Sequence, residues 1–177
     1  MICIISGTNR PENLTLKIAQ KYLNLLRTDG KDVKLLDFQS IPSSIWNDNQ
    51  VMGSPNEWLD QMVDEYIKPA SVLVFIMPEY NGSFPGVLKT FIDSVKPESF
   101  KNKKASLVGV ATGRAGNLRG MDHLTHVLMH LGVSVMPGSL PISRVHTLLD
   151  PEGNLTDEAT LKALSRHIEQ TKKFTHG

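Results

Sequence analysis

The sequence predicts an α/β fold, a parallel, doubly wound sheet clad by helices on both faces, in one domain spanning residues 1–177. Two observations carry that expectation. Short β-rich runs alternate with longer segments of helical period along the chain, and three of the five strand candidates, Ile2–Ile5, Val72–Met77 and Leu107–Ala111, are apolar almost without a break. Strands that read this way are covered on both faces, whereas a sheet with one wet face alternates apolar and polar residues. In such sheets ligands sit outside the carboxyl ends of the strands, near the point where strand order reverses. The stretches after Ile5, Met77 and Ala111 are therefore where chemistry is expected.

The elements follow in order. Ile2–Ser6 is the first strand, and Leu14–Arg27 is an amphipathic helix with Leu14, Ile18, Tyr22 and Leu25 at helical spacing. Val33–Asp37 is the second strand. The stretch 38–55, rich in Ser, Pro, Asn and Asp and containing Trp46, reads as a long loop, either functional or packed over the sheet edge. A helix near Asn56–Ile67 leads into the strand Val72–Met77, and a helix near Phe84–Val95 into the strand Ala105–Ala111. A helix near Leu118–Leu131, the strand Val133–Met136 and a helix near Asp157–Phe174, capped by Thr156 or Asp157, complete a five-stranded, three-layer α/β/α domain.

Composition excludes several classes. With 19 basic and 18 acidic residues, a formal charge of +1 and a basic cluster only at Lys101–Lys104, the chain is not expected to bind nucleic acid. Met1–Ser6 lacks the basic leader and cleavage site of a signal peptide, and no apolar run nears the ~18 residues that span a bilayer. No membrane partner is expected, and a lone cysteine suits a reducing cytoplasm. Cys3 and Arg10 bracket the first loop as the thiolate and arginine of a phosphatase do, but Cys3 lies inside a strand and reads as a small buried hydrophobe.

The first loop, Ser6-Gly-Thr-Asn-Arg-Pro-Glu-Asn, runs from a buried strand into a helix. It has neither a phosphate-loop Lys-Ser/Thr nor a GxGxxG pattern. Helix N-termini expose unpaired N–H groups and the positive end of the dipole, so the hydroxyls of Thr8 and Thr15 and the Arg10 guanidinium complete an anion cradle there. A capped helix start, with Asn13 as cap and Arg10 in water, is the plainer alternative. After the third strand comes Pro78-Glu-Tyr-Asn-Gly-Ser-Phe-Pro-Gly-Val-Leu-Lys-Thr-Phe-Ile-Asp, a strand end, a polar turn and a helix with Pro85 near its first turn. Tyr80 can cover a flat ligand there, and Asn81 with the N–H groups of residues 79–82 can bond a heteroaromatic edge.

Pro78-Glu79-Tyr80-Asn81 with Ser83, Pro85-Gly86, Leu88-Lys89 and Ile92-Asp93 closely resembles the signature of the NADPH-dependent FMN reductase family. That family has a flavodoxin-like fold and includes quinone, azo-dye and chromate reductases. Gly7, Thr8 and Arg10 fill the family's first-loop places, with Asn13 where serine is usual. Thr112-Gly113 through Gly116 and Arg119 look like its third segment. The resemblance covers about residues 2–136.

It implies that Thr8, Arg10, Asn13, Leu14 and Thr15 hold the FMN phosphate. It further implies that Pro78, Glu79, Tyr80 and Asn81 line the isoalloxazine, that Ser83 flanks this loop, and that Thr112 and Gly113 close the other side. FMN carries the chemistry, so no acid, base or nucleophile is required, and Tyr80 and Asn81 shape the reacting face. NADPH or NADH is the co-substrate. The second substrate is a small-molecule electron acceptor: a quinone, an azo compound, a metal oxyanion or free flavin. The resemblance also implies a homodimer or homotetramer.

The rival reading is a non-enzymatic FMN-binding electron carrier or redox-responsive adaptor, against which stands the near-neutral charge, since flavodoxin-type carriers are generally acidic. A signalling receiver domain needs acidic residues just after the first strand and a phosphorylatable aspartate after the third, where this chain has Gly7-Thr8-Asn9 and Pro78-Glu79. His123, His126 and His130 share one helix at spacings that suit a metal pair, but no cysteine or second motif joins them. No metal is expected, and the three read as helix surface or subunit contact.

Overall fold

The computed structural model describes residues 1–27, 30, 32–47 and 56–176. Strands β1 (Ile2–Ser6), β2 (Val33–Asp37), β3 (Val72–Pro78) and β4 (Lys104–Val110) pair in parallel in the order β2-β1-β3-β4. The sheet continues on the outer side of β4 with two short pieces, β5 (Ser134–Val135) and β6 (Leu140–Ile142), which pair with its first and last residues respectively. This is the flavodoxin-like order 2-1-3-4-5, reversing at β1/β3. Of the fifth strand expected at Val133–Met136 only Ser134–Val135 pairs, and Leu140–Ile142 is a further strand piece not expected from sequence; Pro137, which brings no N–H to the ladder, lies between them.

Alternate residues of each strand feed opposite cores. Ile2 and Ile4 pack with Val72, Val74, Ile76 and Val108 beneath α1 (Leu14–Arg27) and α6 (Glu158–His176). Cys3 and Ile5 pack with Leu73, Phe75 and Met77 on the other face, beneath α3 (Glu57–Met62), α4 (Gly86–Ser94) and α5 (Leu118–His130). Cys3 is fully buried, and burial pushes its thiol up to about 12, so it is the inert core residue expected rather than a nucleophile. The stretch read as a loop at 38–55 contains a 3₁₀ turn at Phe38–Ser40 followed by α2 (Ser43–Asn47). Its remainder, 48–55, lies outside the described residues, as does the side chain of Trp46. The expected helix near Asn56–Ile67 is α3, capped by Asn56 Oδ1, followed by a wide turn over Val63–Ile67.

Helix α6 is pinned to α1 by a buried polar contact that links residues 145 positions apart. Tyr22 Oη lies 3.0 Å from His167 Nδ1 and 3.3 Å from Thr171 Oγ1. Burial pushes the His167 imidazole down to about 4, against a smaller opposing pull from the Leu107 backbone. A histidine whose folded value lies below its unfolded one keeps its full contribution above about pH 6.5 and loses it as pH falls towards 4. Urea unfolding between pH 7 and pH 4 is therefore expected to show a loss on the order of 3 kcal/mol from this group. His167→Gln should flatten that part of the profile.

Candidate functional site at the carboxyl edge of the sheet

Three loops leave β1, β3 and β4 on one edge, and hydrogen bonds tie them together. In the first, Ser6 at the end of β1 and Thr8 just after it are fully buried. Arg10 donates its N–H to Thr8 Oγ1 at 3.3 Å, and its carbonyl accepts from the side chains of Asn13 and Gln39. Asn13 Oδ1 takes the N–H of Leu16 at 2.7 Å, so Asn13 is the N-cap of α1. Glu12 turns the chain through a left-handed conformation (φ 54°) to reach this cap. The N–H groups of Leu14 and Thr15, in the first turn, have no intrahelical acceptor, as at any helix start. Arg10 is exposed in the loop that leads to them, and Thr15 is buried.

The second loop is a tight turn. Tyr80 and Ser83 exchange both backbone hydrogen bonds, at 2.9 and 3.1 Å, around Asn81 (φ 51°) and Gly82 (φ 77°). Two successive positive φ values make a type I′ turn, for which Asn-Gly is the favoured pair. The expectation that the N–H groups of residues 79–82 all face a ligand is corrected here. Glu79 donates its N–H to the Val110 carbonyl and Tyr80 to that of Ser83, leaving those of Asn81 and Gly82. Asn81 is exposed, whereas Pro78, Glu79, Tyr80 and Ser83 are half-buried. The Tyr80 hydroxyl lies 2.7 Å from Thr8 Oγ1 and joins the second loop to the first.

The third loop is fixed by Asn117, which is fully buried and left-handed (φ 65°). Its Nδ2 donates to the carbonyls of Met77 (3.2 Å) and Pro78 (2.9 Å), so the start of α5 is fastened to the end of β3. Thr112 and Gly113 lie exposed at the front of this loop, and the Gly113 carbonyl accepts the Arg144 N–H from the segment after β6. A Cβ on Gly109, one strand position before the loop leaves the sheet, would stand 2.2 Å from the Gly116 carbonyl oxygen, so the third loop lies directly on the β4 backbone.

The residues expected from sequence thus converge on one edge, in two groups: Thr8, Arg10, Asn13, Leu14 and Thr15 around the mouth of α1, and Pro78–Ser83 with Thr112 and Gly113 across from it. Asn117 was missed, although Gly116-Asn117 before a helical period is a pair that tolerates positive φ. His123, expected at a helix surface or subunit contact, is exposed on α5, and its Nδ1 lies 2.9 Å from Ser83 Oγ. His126 Nδ1 instead donates to the Asp122 carbonyl at 2.8 Å.

The model of a protein family described as NADPH-dependent FMN reductase matches residues 1–147. A Pseudomonas aeruginosa protein named NAD(P)H-dependent FMN reductase is 31% identical over 170 residues, covering 93% of this chain and 89% of that protein. A Burkholderia protein named 2-hydroxy-1,4-benzoquinone reductase is 24% identical over 174 residues, covering 96% and 92% respectively. Among solved structures, the flavoenzyme NAD(P)H:(acceptor) oxidoreductase FerB from Paracoccus denitrificans superposes with a TM-score of 0.76 at 24% identity, covering 99% of this chain and 96% of FerB.

Proposed function

The chain belongs to the NADPH-dependent FMN reductase family, and from that premise we propose that it uses NADPH or NADH to reduce a quinone, with FMN as its cofactor. The observation that carries the reading is the Thr8–Tyr80 contact, which fuses an anion-binding helix mouth and a ring-sized polar turn into one site. The residues fit FMN. Ser6 Oγ, on the α1 side of the sheet, is buried with no hydrogen-bond partner among the described residues. The space beside Gly113 is open to 4 Å from where a side chain would begin. A buried orphan hydroxyl under a helix N-terminus suits a phosphate and its ribityl chain, since unpaired buried polar groups are rare in folded proteins.

When bound, FMN supplies the capacity to take up a hydride from the nicotinamide and give it to the acceptor. The protein's own groups bind and orient. Thr8, Thr15 and the first N–H groups of α1 donate to the phosphate, with Leu14 beside them, and Arg10 adds a charge-assisted contact. Asn13 holds the loop as cap and keeps one amide hydrogen for the phosphate. Asn81 and its N–H, with that of Gly82, bond the ring's polar edge. Pro78, Glu79 and Tyr80 would line the ring, with Thr112 and Gly113 on its other side.

Tyr80→Phe removes the hydroxyl that links the two loops and leaves Thr8 Oγ1 without it. The expected cost is about 0.5–1.5 kcal/mol, a loss of FMN affinity of about 2- to 12-fold in a fluorescence titration. Tyr80→Ala should reduce turnover more than unfolding free energy; equal losses would mean that the ring only packs.

The quinone is supported by the name of the Burkholderia relative. The same reading includes a homodimer or homotetramer. The groove of about 930 Å³ between α4 and α5, lined by Ile92, Val95, Val127 and Leu131, is the face we assign to a second copy. It also includes a cytoplasmic location, supported by a lone cysteine that is buried and unpaired; no helix among the described residues is long and apolar enough to cross a membrane. The test is anaerobic turnover of 1,4-benzoquinone. One hydroquinone per NADPH or NADH consumed is expected, and both nucleotides left unconsumed in the presence of FMN-loaded protein would refute the reading.

A further inference from the structure

We propose that Arg119 and His123 form an anion subsite beside the second loop, and that it receives the negatively charged group of an aromatic electron acceptor, such as an ionised hydroxyquinone. The inference rests on the reading of this edge as the flavin pocket of a reductase. It concerns which acceptors that pocket selects.

Helix α5 starts where the third loop ends, so its first two turns stand beside the turn expected to hold the ring. Arg119 and His123 are four residues apart and share one face of that helix. Both are fixed to the second loop by contact. His123 Nδ1 is 2.9 Å from Ser83 Oγ. A Cβ on Gly82 would lie 3.5 Å from Arg119 Cζ and 3.6 Å from one of its terminal nitrogens, so the guanidinium rests against the residue that follows Asn81.

Neither side chain is spent on a carboxylate. The ion pairs among the described residues are all made by lysines, and neither Asp122 nor Glu79 is in one with Arg119 or His123. Both side chains are exposed, so the Arg119 charge is hydrated and available. A guanidinium presents a planar fork of N–H donors that matches a carboxylate, a sulfonate or the delocalised oxygens of an ionised hydroxyquinone. In the tautomer whose Nδ1 accepts the Ser83 hydroxyl, the Nε2–H of His123 is the ring donor turned to an anion. A neutral quinone can offer these donors only its uncharged carbonyl oxygens, so the subsite favours the charged acceptor by the charge-assisted part of the contact.

The test has a binding arm and a kinetic arm. 1-Naphthalenesulfonate, an aromatic anion that accepts no electrons, is titrated calorimetrically into the FMN-loaded wild type, R119Q and H123Q. The wild type is expected to bind it, R119Q about tenfold or more weakly, and H123Q, whose amide can still reach Ser83, a few-fold more weakly. In turnover, R119Q is expected to raise the KM for 2-hydroxy-1,4-naphthoquinone by a similar factor and the KM for neutral 1,4-naphthoquinone by less than about twofold. Equal shifts for the charged and neutral acceptors would show that Arg119 only props the loop, and would overturn the subsite. So would sulfonate binding that is absent from the wild type or unchanged in R119Q. If the wild type reduces neither quinone, the reductase reading falls instead, and the sulfonate titration still decides the subsite.

Discussion

Gly109→Ala is expected to damage both the fold and the site although it adds one carbon. The new Cβ would stand 2.2 Å from the Gly116 carbonyl oxygen, 2.9 Å from Asn117 Cβ and 3.0 Å from Met121 Cε. The first of these is backbone, which no rotamer change can clear. Either β4 shifts within the sheet or Gly116 and Asn117 lift away, and lifting them breaks the Asn117 bonds to Met77 and Pro78. Overpacking of this kind costs about 3 kcal/mol, which in a chain of this size lowers the melting midpoint by roughly 6–12 °C. FMN affinity should fall with it, because Thr112 and Gly113 ride on the displaced loop. Gly86→Ala is the control: nothing lies within 4 Å of its Cβ position, and its midpoint should stay near that of the wild type. Thermal melts of the three proteins, with and without FMN, separate loop damage from the general effect of adding a methyl group.

Arg10→Ala is expected to do the reverse, sparing the fold while removing cofactor affinity. The backbone of Arg10 holds the loop, through its N–H to Thr8 and its carbonyl to Asn13 and Gln39, and alanine keeps all three bonds. What is lost is an exposed guanidinium at the mouth of α1. A charge-assisted contact to phosphate is worth roughly 1.5–3 kcal/mol, so FMN should bind about 10- to 150-fold more weakly. Riboflavin, which lacks the phosphate, should bind the variant and the wild type alike. Loss of affinity for both flavins would place the effect in the loop rather than in the charge.

The sheet and the position of the site were legible because they depend on local pattern. The apolar runs of β1, β3 and β4 required cover on both faces, and the chain's two most distinctive polar stretches follow β1 and β3, where such sheets bind ligands. Features that depend on distant partners were not legible. Glu79 is half-buried among the expected ring-lining residues, but its N–H belongs to Val110, a pairing that exists only once β4 is beside β3. His123 looks like a surface residue on a helical wheel, and only the close approach of α5 to the Asn-Gly turn gives it Ser83. The Tyr22–His167 contact joins the first and last helices, and nothing in either helix's own sequence announces it. The break between β5 and β6 was readable from Pro137 and was overlooked in favour of the apolar run before it.

The account turns on FMN held at the mouth of α1 and reduced there by a nicotinamide nucleotide. The most direct measurement is the visible spectrum of the protein reconstituted with FMN, followed without oxygen while NADPH, and in a second sample NADH, is added. The account predicts that the flavin band bleaches rapidly with at least one nucleotide, and the ratio of the two rates gives the preference between them. Flavin that binds but does not bleach with either would contradict the reductase and leave an electron carrier, and a protein that binds no FMN would contradict the site itself.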